Sequence, residues 1–242
     1  MSKENVLVVI PAFNEEANIS HVLTQVLNAG WPVVVINDGS TDNTVGVCRG
    51  MGVKVLDLPI NLGVGGALRA GFKYAVENNF DAVVQIDADG QHPVDAIGSL
   101  VNCAQDEDAH LVIGSRFLSD STTMTVSKSR KIAMWVLATT ASKATNNKIT
   151  DATSGFRVIT QPLLSEFSAN FASNYLGDTY EAIIAAGRAG YRVREIPAPL
   201  GPRLMGESTA STSQAFLLTL KCGIVYLFHF HLRIGKYNGL IR

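Results

Sequence analysis

The sequence predicts an α/β protein with a mostly parallel sheet flanked by helices. Three observations carry this. Short β-branched runs alternate with longer stretches whose apolar residues recur every three or four positions, the pattern of successive βαβ units. Turn signals such as Asn37-Asp38-Gly39-Ser40 separate the two kinds of segment. The chain has 242 residues, 47% of them hydrophobic, which suits one large domain with a sizeable core.

The elements follow in order. Val6 to Ile10 is an apolar run stopped by Pro11, and Glu15 to Asn28 then spaces its apolar residues as an amphipathic helix. Val33 to Ile36, Lys54 to Leu58, Ala82 to Ile86 and Leu111 to Ile113 read as the next strands. Asn43 to Met51, Val64 to Asn78 and Val94 to Asp106 read as the helices between them. After Arg116 a polar run, Ser119 to Ser129, predicts a loop able to act as a lid. Then come a helix from Arg130 to Asn146, a strand near Phe156 to Thr160, a helix near Thr179 to Ala189, a strand near Arg192 to Ile196 and a Pro/Gly segment from Pro197 to Gly206. The last apolar stretch, Phe216 to Leu232, contains Lys221, His229 and His231 and falls short of a bilayer-spanning helix. It reads equally as a core or dimer helix and as an interfacial helix lying on a membrane.

Composition narrows the function. Lys and Arg number 20 against 21 Asp and Glu, a net charge of -1, so no basic field exists to attract nucleic acid. Cys48, Cys103 and Cys222 lie far apart, which suggests neither a disulfide framework nor a zinc site and fits a reducing, cytoplasmic setting. No secretory signal is expected, because Met1 to Asn5 runs directly into the first strand.

In an open parallel sheet, ligands bind beyond the carboxyl ends of the strands, so the polar residues after each strand are the first candidates. Asp87-Ala88-Asp89 follows the fourth strand. In extended backbone, residues i and i+2 face the same way, so both carboxylates can meet one Mg²⁺ or Mn²⁺, with Gln91 adding a neutral oxygen. Read alone, the same string is equally a solvated acidic turn. Asp38, after the second strand, can accept hydrogen bonds from a nucleobase N–H or a ribose hydroxyl, or simply form the turn. Glu15 and Glu16 sit in a first helical turn, where the helix dipole alone favours acids, and Glu15 is the better placed for a pocket. Gly63-Val64-Gly65-Gly66 lacks the third glycine of a dinucleotide fingerprint, so it reads as a close approach of helix to ligand or strand. Arg116, Arg157 and Arg203 are the candidate cations for phosphate. The histidines are scattered, and no GxSxG or HExxH string is present.

Taken together, IPAFNEEANI, VVVINDGSTDNT, NLGVGGALRAG, QIDADGQHP, GSR, DATSGFR, AGYRVREIP and PRLMGEST occur in the order seen in family 2 glycosyltransferases. The resemblance covers about residues 5 to 210 and is nearest the branch with dolichyl-phosphate mannose synthase and bacterial polyprenyl-phosphate glycosyltransferases. It implies a GT-A fold that binds a nucleotide-sugar donor, a GDP- or UDP-sugar, through Pro11, Phe13, Glu15, Ile36 and Asp38. It further implies a metal held by Asp87, Asp89 and Gln91, with Ala88 beside the donor and Arg116 in the region of the donor and acceptor phosphates. Arg203 falls in an R-x-x-G-x-S segment that in this family closes over the diphosphate. Ser208 is followed by Thr209 and Ala210, where the lipid-phosphate branch often has a lysine.

The resemblance implies inverting transfer of a hexose to polyprenyl or dolichyl phosphate. A saccharide hydroxyl, as in cell-surface polysaccharide synthesis, is the alternative acceptor, and a silent nucleotide-sugar scaffold the third reading. An ionised phosphate needs no protein base, whereas a hydroxyl does, and Asp151 and Asp178 are the candidates. The catalytic set is thus Asp89, Asp151, Arg116 and Arg203. Residues 1–210 are expected to form the catalytic domain and residues 211–242 a C-terminal helical extension. Peripheral contact with the inner face of a membrane and homo-oligomerisation are both compatible with this organisation.

Overall fold

The computed structural model describes residues 1–118, 128–171, 178–198 and 201. Arg203, most of the polar run after Arg116, the end of the Pro/Gly segment and the whole C-terminal extension lie outside the described residues.

Seven strands form one sheet in the order β3-β2-β1-β4-β6-β5-β7. They are β1 (Val6–Ala12), β2 (Val33–Asn37), β3 (Lys54–Asp57), β4 (Ala82–Gln85), β5 (Leu111–Ser115), β6 (Arg157–Thr160) and β7 (Val193–Pro197). All neighbouring pairs are parallel except those made by β6, which runs antiparallel to both β4 and β5. That reversal brings the start of β6, and the turn before it, to the same edge as the carboxyl ends of β1, β2, β4 and β5. In register, Gln85 at the end of β4 faces Arg157 at the start of β6.

Helices cover both faces, because the central strands are apolar on both sides. α1 (Ile19–Asn28), α2 (Thr44–Gly50) and α4 (Ile97–Asp106) contribute Ile19, Leu23, Cys48, Ile97 and Leu100 to the core on one face. On the other, α3 (Gly63–Glu77), α5 (Lys128–Thr145), α6 (Leu163–Asn170) and α7 (Asp178–Arg188) contribute Leu68, Phe72, Leu137, Phe167 and Ile183. Gly71 lets α3 lie against the sheet: a Cβ there would come within 2.4 Å of Val9 Cγ1.

Two elements depart from the sequence reading. α1 begins at Ile19, not Glu15, so Glu15 and Glu16 belong to the loop after β1 rather than to a first helical turn. α6, which the sequence reading does not include, buries Leu163, Leu164 and Phe167 against α3, where Phe167 and Phe171 pack around Phe72 at ring-centroid distances of 6.3 and 5.1 Å.

The turn after β2 depends on Gly39. Its φ is +72°, and a Cβ there would lie 2.8 Å from the backbone nitrogen of Asn61. Gly39→Ala must adopt a left-handed conformation and push the Ile60-Asn61 backbone away, at a cost of about 2–3 kcal/mol. Urea unfolding should show that loss, and an unchanged midpoint would contradict the close approach.

Candidate active site

The loops after β1 and β2 are laced together. The Asn14 N–H donates to Ser40 Oγ (2.9 Å), the Thr41 N–H to Asn14 Oδ1 (2.8 Å) and the Glu15 N–H to Thr44 Oγ1 (2.9 Å). The Glu16 N–H donates to Asp42, while Glu16 accepts from the Asn43 N–H. These reciprocal bonds make one rigid lip. Asp38 is 3% exposed, and its Oδ1 accepts the Leu62 N–H at 2.7 Å, which ties the lip to the start of α3. Among the described residues its second oxygen takes no hydrogen bond. Phe13 is 47% exposed on the lip, and Pro11 is half-buried. Ile36 is fully buried in the core, so its side chain packs the sheet rather than facing the rim.

The acidic loop sits beside the lip. β4 ends at Gln85, and residues 88 and 89 form a turn, so Asp87 and Asp89 are not carried on extended backbone as the D-x-D spacing predicted. Ala88 is buried in the core, Asp89 is 6% exposed and its Oδ1 accepts the Gln91 N–H at 3.0 Å. Gln91 also bonds Gly201: its carbonyl oxygen accepts the Gly201 N–H at 2.9 Å, and its side-chain amide donates to the Gly201 carbonyl oxygen. Asp87 is half-buried, and a Cβ on Gly155 would lie 3.0 Å from Asp87 Oδ2. Two carboxylates and an amide oxygen are hard donors of the kind Mg²⁺ and Mn²⁺ prefer. Among the described residues no three His, Cys, Asp or Glu side chains converge. This donor set is of the kind that fits a divalent ion.

The third part is built around Arg116, just past β5. Its Nε donates to Asp151 Oδ2 and its Nη2 to Asp151 Oδ1, both at 2.7 Å, a bidentate pair; Nη2 also donates to Thr153 Oγ1 at 2.7 Å. Burial alone favours the neutral guanidine, but the hydrogen bonds and charge of Asp151, with the charge of Asp87 added, outweigh it and raise the Arg116 pKa. Asp151 is 1% exposed. Its own N–H donates to Glu195 Oε1 (2.7 Å) on β7, and the Thr150 N–H and hydroxyl donate to Glu195 Oε2. Burial pushes Glu195 above the usual glutamate range, against the pull of those three hydrogen bonds. Glu195, absent from the sequence reading, therefore clamps the turn that presents Asp151. AGYRVREIP was the visible signal, but nothing local pointed to its partner 44 positions upstream.

Other candidates resolve differently. Arg157 is 1% exposed, and its guanidinium donates to the Ser154 and Thr179 carbonyl oxygens, so it braces the turn before β6 instead of facing a ligand. Asp178 opens α7, and its side chain lies outside the described residues. Arg203 lies outside them too.

Known proteins place this arrangement. The chain is 29% identical over 214 residues to the undecaprenyl-phosphate mannosyltransferase of Micrococcus luteus, covering 85% of this chain and 87% of the relative. It is 26% identical over 215 residues to the UDP-N-acetylglucosamine–dolichyl-phosphate N-acetylglucosaminyltransferase of Methanococcus voltae, covering 81% and 86%. The crystal structure of glucosyl-3-phosphoglycerate synthase from Mycobacterium tuberculosis, in complex with Mn²⁺, UDP and phosphoglyceric acid, superposes with a TM-score of 0.68 at 20% identity, over 93% of this chain and 77% of that one. The shared architecture is the GT-A fold, a mostly parallel mixed sheet between helices. The Glycosyl transferase family 2 model matches residues 7–167, and the chain belongs to that family of glycosyltransferases.

Proposed function

We propose that this glycosyltransferase is an inverting, metal-dependent enzyme that moves a hexose from a GDP- or UDP-sugar to polyprenyl phosphate. The observation that carries this reading is the Arg116–Asp151 pair. A cation is fixed at the rim beside the acidic loop, and both oxygens of its carboxylate partner are occupied by hydrogen bonds. Such a carboxylate suits an anchor rather than a base, and an ionised phosphate acceptor needs none. The names of the relatives from Micrococcus luteus and Methanococcus voltae support the same acceptor class.

In this reading the laced lip receives the nucleoside, with Phe13 at its face and the second oxygen of Asp38 available to a base or ribose hydroxyl. Asp87, Asp89 and Gln91 would hold Mg²⁺ or Mn²⁺, which supplies charge neutralisation for the departing diphosphate. Arg116, held by Asp151, orients the acceptor phosphate so that its oxygen approaches the anomeric carbon opposite the leaving group. The two named relatives carry different sugars in their names, mannose and N-acetylglucosamine, so the donor panel spans both.

The experiment incubates the full chain and Mn²⁺ or Mg²⁺ with a panel of nucleotide sugars, with and without polyprenyl phosphate, and follows nucleoside diphosphate release. Release that depends on polyprenyl phosphate is expected. Release only with a saccharide acceptor sinks this reading, and no turnover with any pair favours a scaffold.

A lipid acceptor requires the enzyme to work at a membrane, and the proposed side is the cytoplasmic one. No described helix is long and apolar enough to cross one. On α5, however, Ile132 is 64% and Trp135 68% exposed, one turn apart, and the helix sequence has four basic residues and no acidic one. A tryptophan beside basic residues suits an anionic lipid surface. Ile132→Ser with Trp135→Ser should reduce flotation with anionic liposomes, and undiminished flotation would remove this face from the contact.

A further inference from the structure

Resting on the reading of Asp87 as a metal ligand, we propose that His92 is a positioning residue that sets the orientation of the Asp87 carboxylate for the divalent ion. The side chain is 4% exposed, and it grips Asp87 at two points. The Asp87 N–H donates to His92 Nδ1 at 2.9 Å. Accepting there leaves the neutral ring's proton on Nε2, which lies 3.6 Å from Asp87 Oδ2, a favourable electrostatic contact that is too long to be a hydrogen bond. A single ring therefore holds the main chain of Asp87 by a hydrogen bond and lies beside its carboxylate, whose side chain is 43% exposed.

The ring is itself immobilised. It stacks on Phe156 with centroids 5.2 Å apart and planes 18° from parallel. Phe156 fits there because position 114 is glycine: a Cβ on Gly114 would lie 2.7 Å from Phe156 Cδ1. Gly155 leaves room for the carboxylate, since a Cβ there would lie 3.0 Å from Asp87 Oδ2. Three separated pieces of sequence, Gly114, Gly155-Phe156 and His92, thus converge on Asp87. A core histidine kept only for packing would not need an acceptor nitrogen at the Asp87 N–H together with a donor nitrogen toward its carboxylate. Partners that orient metal-ligating groups are commonly worth tenfold or more in metal affinity.

The test measures Mn²⁺ binding by water-proton relaxation, with UDP and with GDP in parallel, for the wild type, Asp87→Ala, His92→Phe and His92→Asn. Phenylalanine keeps a ring on Phe156 but removes both nitrogens. The asparagine amide oxygen takes the place of Nδ1 as acceptor. Asp87→Ala should abolish binding, His92→Phe should weaken it by about tenfold or more, and His92→Asn should recover most of the loss. Wild-type binding by His92→Phe overturns the proposal, as does an equal defect in both His92 variants at unchanged thermal midpoint. Wild-type binding by Asp87→Ala overturns the ligand assignment itself, so the two failures are distinguishable. If His92→Phe does not fold, ¹⁵N NMR of the wild type decides instead. The neutral ring should carry its proton on Nε2, and a proton on Nδ1 contradicts the proposal.

Discussion

Asp89→Ala is expected to lower nucleotide-sugar turnover by about a thousandfold or more while the protein stays folded. A metal on a departing diphosphate contributes several kcal/mol to the transition state, and about 4 kcal/mol corresponds to three decades of rate. The structural loss is much smaller. Asp89 is 6% exposed, and its Oδ1 accepts the Gln91 N–H, a bond of about 1 kcal/mol. In a domain of this size that lowers the thermal midpoint by only about 2–4 °C. The check is nucleoside diphosphate release over a range of Mn²⁺ concentrations beside a circular-dichroism melt. Unchanged turnover removes Asp89 from the ligand set.

Asp151→Ala should be the most destabilising single change at the site. It strips a bidentate partner from a guanidinium whose side chain is 18% exposed and leaves an uncompensated, mostly buried charge, at a cost of about 3–5 kcal/mol. The thermal midpoint should fall by roughly 10 °C. Removing both charges, Arg116→Ala with Asp151→Ala, should restore part of that stability, since the second substitution deletes the stranded charge. Function separates anchor from base. Asp151→Asn should raise the KM for the anionic acceptor with little dependence on pH. A fall in kcat at constant KM, relieved as pH rises, would instead assign Asp151 the proton transfer that a hydroxyl acceptor requires.

Much of this architecture was legible because its signals are local. The β-branched runs of β1, β2 and β4 and the amphipathic spacing of α3 and α4 stand in the sequence, and the strand-end loops are where ligand residues belong in such a sheet. What was not legible depends on partners far along the chain. Glu15 and Glu16 have the look of acids in a first helical turn, yet their bonds go to Thr44, Asp42 and Asn43 in the next loop, so the helix starts four residues later. The antiparallel insertion of β6 has no local signature, and it is what brings Asp151 and Gly155 to the rim. Arg157 has the composition of a phosphate ligand but is consumed by carbonyl groups. His92 has no second histidine at a metal spacing, and its contacts to one carboxylate and one N–H are made by the fold. α6 carries a readable apolar spacing in Leu163, Leu164 and Phe167 that the sequence reading does not use.

In the proposed reaction, hexose moves onto a lipid phosphate at the rim formed by the acidic loop and the anchored Arg116. The most direct measurement follows a radiolabelled hexose from its nucleotide sugar into the organic phase, with the full chain, polyprenyl phosphate and Mn²⁺, and with EDTA as control. Label is expected on the lipid, acid-labile as a sugar phosphate, with inverted anomeric configuration, and none when the metal is chelated. Label that stays in water or appears on a saccharide hydroxyl, or lipid product formed undiminished with EDTA, would contradict it.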